Sequence, residues 1–290
     1  MYKCIKLFIQ NLVLKSFLVD FFNFFSNHFL KIKKILDGSF NNQGKFFKVL
    51  PSDTFIVSYP KSGNTWVRFI VANLVNKNFE KIGLKNLDQV IPDIHAVKES
   101  VLNKFKAPRI FSSHDYFDAR FNKVIYVIRD PRDVIVSLYF YLIKLKVLKK
   151  NYSRRKYIKR FLDGEFDSTF GSWYQNIGSW YGAKDNNIIF IRYEDLLQKK
   201  YISFKKISQF LKIKFSKRKF DRVLKNTSFK NLQKQESLSY DNVDHLKDTR
   251  KDIKFFRSGK KNQWKQFLSA NENKLIKKKW GTYMKIFNYI

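Results

Sequence analysis

Residues Phe55 to Trp66 read FIVSYPKSGNTW. A β-branched apolar run breaks at Pro60 and passes through Lys61, Ser62 and Gly63. It resumes as a pattern that puts Trp66, Phe69, Ile70 and Leu74 on one helical face. The stretch is a strand–turn–helix junction. A turn feeding a helix N-terminus presents backbone N–H groups without helical partners, and the helix dipole favours negative charge there. Gly63 admits a close backbone approach. Ser62, Asn64 and Thr65 add side-chain donors, and Lys61 adds a point charge. Phosphate or a close analogue is the expected guest. The loop departs from the nucleoside triphosphatase pattern G-x-x-x-x-G-K-S/T, because its lysine precedes the glycine by two residues.

Further along the chain, strand-like runs alternate with helix-like runs. RIFSSH, Arg109–His114, is a short strand candidate. KVIYVIR, Lys123–Arg129, is a continuous apolar run, as in a strand buried on both faces. DPRDVIVSLYFYLIKLKV follows as a helix, with Asp130 at the N-cap and Pro131 in the first position. NIIFIRYEDL, Asn187–Leu196, repeats the strand-to-helix pattern. The alternation predicts an α/β fold with a central parallel β-sheet flanked by helices. Ligands of such sheets sit beyond the C-terminal ends of the strands. Arg129 ends one strand and Ser137 lies two turns into the next helix, which lets both reach one phosphate.

The chain has 290 residues, 44% apolar, with 31 Phe and 15 Tyr, enough to build a sizeable core. Its one cysteine, Cys4, excludes internal disulfides and cysteine zinc sites, and points to a reducing, cytoplasmic compartment. Basic residues outnumber acidic ones 58 to 24, a net charge of +34 that attracts nucleic acid, anionic lipid or a polyanionic small molecule. The joint abundance of Lys, Asn, Ile and Phe fits surface lysine accumulated in an AT-rich coding sequence equally well. Residues 1–40 read as a separate Phe-rich helical extension, with Ile5, Phe8, Ile9, Leu12 and Val13 at helical spacing. Its longest uncharged run, Phe21–Leu30, is far short of the ~18 residues a spanning helix needs. It is either packed on the main domain or laid on an anionic membrane surface, with FNNQGK, Phe40–Lys45, as the joint.

Three motifs resemble those of a known family. YPKSGNTW, Tyr59–Trp66, is similar to the phosphosulfate loop Y-P-K-S/T-G-T/N-T/N-W of sulfotransferases that use 3′-phosphoadenosine 5′-phosphosulfate (PAPS). VIYVIRDPRDVIVSLYFY resembles the strand–loop–helix that grips the 3′-phosphate in that family. FFRSGKKNQWKQFLSANE resembles its C-terminal R-K-G-x-x-G-D-W-K-x-x-F/L motif. The motifs keep the family's order and span Thr54 to Leu268. The resemblance implies a P-loop nucleoside triphosphate hydrolase-like sulfotransferase fold over residues 41–290. It also implies in-line transfer of a sulfuryl group from PAPS to a hydroxyl or amine, with adenosine 3′,5′-bisphosphate as product and no metal.

The resemblance also implies roles. Lys61 would pair with the bridging oxygen as charge builds on it, and Ser62, Gly63, Asn64 and Thr65 would hold the 5′-phosphosulfate. Arg129 and Ser137 would bind the 3′-phosphate, with Ser137 touching Lys61 before the acceptor arrives. Arg257, Ser258 and Gly259 would complete that site. Trp66 and Phe229 would stack on adenine, with Tyr193 and Thr227 near the base; core packing is the competing reading of both rings. His114 would be the general base, while His28 and His245, as lone histidines, read as surface or capping residues. The chain departs from the family at Ser112 and Ser258, where lysines are usual, and at Asn262 and Gln263, which replace a glycine and an aspartate. Lys123 or Arg120 could restore the cation lost at Ser112. Glu236–Phe255 corresponds to a cover over both ligands. The aromatic stretch Phe166–Tyr181 either lines an acceptor pocket or packs in the core. The acceptor is a hydroxyl-bearing small molecule, a carbohydrate or a lipid-linked group. Two other classes compete: a P-loop nucleotide kinase or triphosphatase, which needs an acidic Mg²⁺ ligand, and a basic nucleic-acid or membrane-surface binder, whose affinity would fall steeply with salt.

Overall fold

Four apolar runs become the strands β1 (Thr54–Ser58), β2 (Ile110–Ser113), β3 (Val124–Ile128) and β4 (Ile188–Arg192). They pair in the order β2-β1-β3-β4, all parallel. The computed structural model describes residues 47–76, 82–166, 170–185, 187–240, 243 and 246–290. The extension assigned to 1–40, its joint, Cys4, His28 and His245 lie outside the described residues.

Every residue of β1 and β3 is buried, as their unbroken apolar runs require. Alternate side chains feed two cores. Phe55, Val57, Tyr126 and Ile128 pack with Trp173, Trp180 and Trp280 on one face, while Ile56, Ile125 and Val127 pack with Val67, Ile70 and Phe204 on the other. Each such burial is worth roughly 1.5–3 kcal/mol, more than the ~1 kcal/mol spread of strand propensities. Burial therefore decides which runs become strands. At the opposite edge from the loops, Arg109 grips Asp53 with Nε to Oδ1 at 2.9 Å and Nη2 to Oδ2 at 2.6 Å. These residues immediately precede β2 and β1, so the fork fixes their relative register.

The helices that position the site are α1 (Asn64–Val75), α2 (Pro131–Lys144), α3 (Trp173–Gly182), α4 (Tyr193–Gln198), α5 (Phe229–Ser239) and α6 (Ala270–Ile286). Asp130 caps α2 as the sequence predicts, accepting from Arg132 N at 2.9 Å ahead of Pro131. Ser172 and Ser269 form reciprocal capping boxes on α3 and α6. The strand order reverses direction about β1, and such a switch point opens a crevice at the C-terminal strand ends. The chain leaves β1 through Tyr59–Gly63, β2 through His114, β3 through Arg129 and β4 through Tyr193, so the parallel sheet delivers all four to one edge. Among the described residues no helix is long and apolar enough to cross a membrane.

Candidate active site

The loop after β1 is bent by two left-handed residues, Lys61 at φ 66° and Gly63 at φ 104°. A Cβ at Gly63 would stand 2.6 Å from Tyr193 Cδ2, so only glycine lets the Tyr193 ring close over the turn. Val67 N donates to Gly63 O, the first bond of α1. Helix geometry leaves the N–H groups of Asn64, Thr65 and Trp66 without helical partners, and these residues line a cavity of about 420 Å³. Lys61 Nζ lies 3.6 Å from the centre of the Tyr141 ring and 4.6 Å from that of Phe255. Burial, then the neighbouring Arg129 and Arg257, lower its pKa from the usual lysine range to about 7.

His114 leaves β2 into the same cavity. Its Nδ1 sits 2.7 Å from the carbonyl oxygen of Ser58. A carbonyl can only accept, so Nδ1 carries the proton and the Nε2 lone pair stays available. Burial pulls His114 below the ordinary histidine value, opposed by Asp93 and the Ser58 carbonyl. Asn176 steadies the backbone from α3, donating to the His114 carbonyl at 3.0 Å.

The far end gathers cations. Arg129 Nη1 donates to Lys61 O at 3.2 Å, Nη2 to Lys260 O at 3.3 Å, and its guanidinium stacks over Tyr193 at 4.3 Å. Arg257 lies against the Phe140 ring, its pKa lowered by burial and then by Arg129. Gly259, at φ 61°, packs onto Phe229; a Cβ there would meet that ring at 2.4 Å. Asp133 fastens this loop, accepting from Asn262 N at 2.7 Å and Trp264 N at 3.0 Å. Asn262 has φ 62°, the left-handed conformation that asparagine tolerates better than most residues. Asparagine thus holds at this position a conformation that glycine adopts freely. Gln263, in the aspartate position, accepts from Arg257.

The cavity brings together Lys61, Gly63, Asn64, Thr65, Trp66, His114, Arg129, Ser137, Tyr193, Phe229, Arg257, Ser258 and Gly259. Two expected residues do not line it. Ser62 is buried behind the loop, with its amide turned to Tyr59 O, and Thr227 spends its hydroxyl on Val223 O at 2.8 Å. Thr227 contributes instead through its carbonyl, which accepts from Trp66 Nε1 at 3.0 Å. The Asn64 side chain is no anion donor either: it bonds to Ile56 O, Ser113 O and Ser58 Oγ, stitching β1 to β2. Ser112 is fully buried and donates to Asn64 Oδ1 at 2.8 Å, while Ser137 lines the cavity without holding Lys61, whose ammonium rests on aromatic faces. Arg120 is taken by Asp118 and Lys123 lies over Phe210, so neither restores the missing cation. Of the stretch Phe166–Tyr181, Phe170 lines the cavity while Trp173, Ile177 and Trp180 are core. Sequence reading missed Tyr141, Phe256 and Asp93. Tyr141 was findable, being one turn beyond Ser137 on the same face of α2.

Three comparisons bear on identity. The family model described as "Sulfotransferase domain" matches residues 51–287. The 3-alpha-hydroxysteroid sulfotransferase of Cavia porcellus is 31% identical over 260 residues, covering 84% of this chain and 89% of its own. Sulfotransferase 2A2 of Rattus norvegicus is 32% identical, covering 82% and 85%. Among solved structures, mouse sulfotransferase SULT7A1 complexed with PAP superposes with a TM-score of 0.67 at 23% identity, covering 85% and 89%; at that identity the likeness speaks for the fold. The chain belongs to the sulfotransferase domain family. Its reaction is PAPS-dependent sulfuryl transfer, and neither a P-loop kinase or triphosphatase nor a basic nucleic-acid or membrane-surface binder is favoured. The residues fit that donor. Arg129 Nε is buried without a hydrogen-bond partner, and Lys61, Arg129 and Arg257 crowd one cavity whose mutual repulsion an anion relieves.

Proposed function

We propose that this sulfotransferase modifies a hydroxyl on a compact, largely apolar small molecule, with His114 as general base and Lys61 as the cation that stabilises the leaving oxygen. The observation that carries the reading is the shared cavity: an Nδ1-protonated His114 and the loop lysine face the same space. When bound, PAPS supplies the sulfuryl group and leaves as a bisphosphate. The amides opening α1 would hold its 5′ end, and Arg129, Ser137, Arg257 and Ser258 its 3′-phosphate. Trp66 and Phe229 line the slot for the flat base. His114 Nε2 would take the acceptor's hydroxyl proton, and the Lys61 ammonium would hold the negative charge on the 5′-phosphate oxygen that gives up the sulfuryl group. Water is kept out by the rings of Tyr141, Phe170, Phe255 and Phe256.

The acceptor class draws support from those four rings and from relatives named for hydroxysteroids. The test is transfer from labelled PAPS to a panel holding a hydroxysteroid, a phenol, a simple amine, a monosaccharide and a lipid-linked sugar. Transfer is expected to the first two and to be lost in His114→Ala. Transfer confined to the sugars would overturn the acceptor assignment, and unchanged transfer by His114→Ala would overturn the base.

A further inference from the structure

Behind the cavity wall, a lysine and a glutamate are buried face to face. Lys144 closes α2 with its side chain 1% exposed, and Glu236 lies on α5 at 3%. Their charged atoms stand 3.7 Å apart. Burying charge is costly unless every donor and acceptor is met. Here the partners, the Tyr240 hydroxyl apart, come from one stretch of backbone. Lys144 Nζ donates to Ile253 O at 2.7 Å, Arg250 O at 3.0 Å and Tyr240 Oη at 3.2 Å, which uses all three ammonium hydrogens. Glu236 accepts from Phe255 N at 2.6 Å and Phe256 N at 2.9 Å. Arg250 N returns a bond to Lys144 O at 2.8 Å. Carbonyls at 250 and 253 are thus held by the cation, and amides at 255 and 256 by the anion.

That backbone carries the site. Phe255 covers Lys61 Nζ, Phe256 lines the cavity, and Arg257, Ser258 and Gly259 follow directly in the chain. We propose that Lys144 and Glu236 are positioning residues for the nucleotide. They act through the backbone from Arg250 to Phe256, setting the Phe255 wall against Lys61 and presenting Arg257–Gly259 to the 3′-phosphate. Neither residue lines the cavity or touches the reacting groups. The inference rests on the donor assignment above.

The test is calorimetric binding of adenosine 3′,5′-bisphosphate to the full chain, to Lys144→Met, to Glu236→Gln and to the double variant Lys144→Met/Glu236→Leu, each with its melting temperature. Either single change leaves a buried charge or backbone amide unmet, so both are expected to weaken bisphosphate binding at least tenfold. The double variant removes both charges together. It is expected to recover melting temperature while bisphosphate binding stays at least tenfold weak, since nothing then holds the Phe255 and Phe256 amides. A purely structural pair would show affinity recovering along with melting temperature, and that result overturns the proposal. So does unchanged affinity in the single variants. If the variants do not fold, amide exchange on the unaltered protein decides: Phe255 and Phe256 N–H are expected to exchange at least a hundredfold slower than unstructured amides, and fast exchange overturns the clamp. Failure of the unaltered protein to bind bisphosphate would instead sink the donor assignment on which the clamp depends.

Discussion

At the scale of single residues the account turns on two protonation states. His114 is lowered from the ordinary histidine value by burial, so the proposed base keeps its neutral form further to the acid side than a free histidine does. Lys61 is lowered to about 7, so the free protein loses the loop ammonium as pH rises through that value. A bound anion favours the ammonium, and binding above pH 7 must take up a proton. kcat/KM for PAPS is therefore expected to be bell-shaped, with an acid limb displaced to the acid side of an ordinary histidine's and an alkaline limb starting near 7. Calorimetry at pH 8 in buffers of different ionisation enthalpy should register proton uptake on bisphosphate binding; no uptake would contradict the assignment to Lys61. His114→Ala should lower kcat by roughly 10²–10⁴ and move bisphosphate affinity less than about twofold. A comparable loss of affinity would mean that His114 serves binding instead.

At the scale of elements, the loop after β1 depends on backbone as much as on side chains. Gly63→Ala adds a methyl 2.6 Å from the Tyr193 ring, at φ 104°. It should cost roughly 1–3 kcal/mol in urea unfolding and abolish measurable bisphosphate binding. Asn262 is a milder case, and Asn262→Gly should leave both within error. The strands, the α2 cap and most cavity residues were legible in the sequence, because apolar runs, an Asp-Pro start and a Lys–Ser–Gly turn are local signals. The inward turn of Asn64 was not legible. Its amide is claimed by Ile56 and Ser113, on two strands that the chain brings together across some fifty residues. The hold of Asp133 on Asn262 and Trp264 was hidden for the same reason: a carboxylate in a helix's first turn looks like dipole compensation until the distant loop arrives. Ser112 looked like a lost catalytic cation and proved to be a tie between β2 and α1.

At the scale of the whole molecule, the sheet edge collects the chemistry and the opposite edge holds the register. Asp53→Ala leaves Arg109 buried without its counter-charge, held only by the carbonyls of Lys48 and Leu102, and should cost about 3–5 kcal/mol in urea unfolding, well beyond an exposed pair's ~1 kcal/mol. The +34 charge adds a general attraction for anions, which salt screens. On the proposed donor site, the Arg129–Arg257 end is expected to add a specific one. Those two contributions separate in a single titration at physiological salt, comparing adenosine 3′,5′-bisphosphate with adenosine 5′-monophosphate. Charge-assisted bonds to the 3′-phosphate should make the bisphosphate about ten- to a hundredfold tighter, with the advantage lost in Arg129→Ala. Equal affinity for the two nucleotides would contradict the site described here.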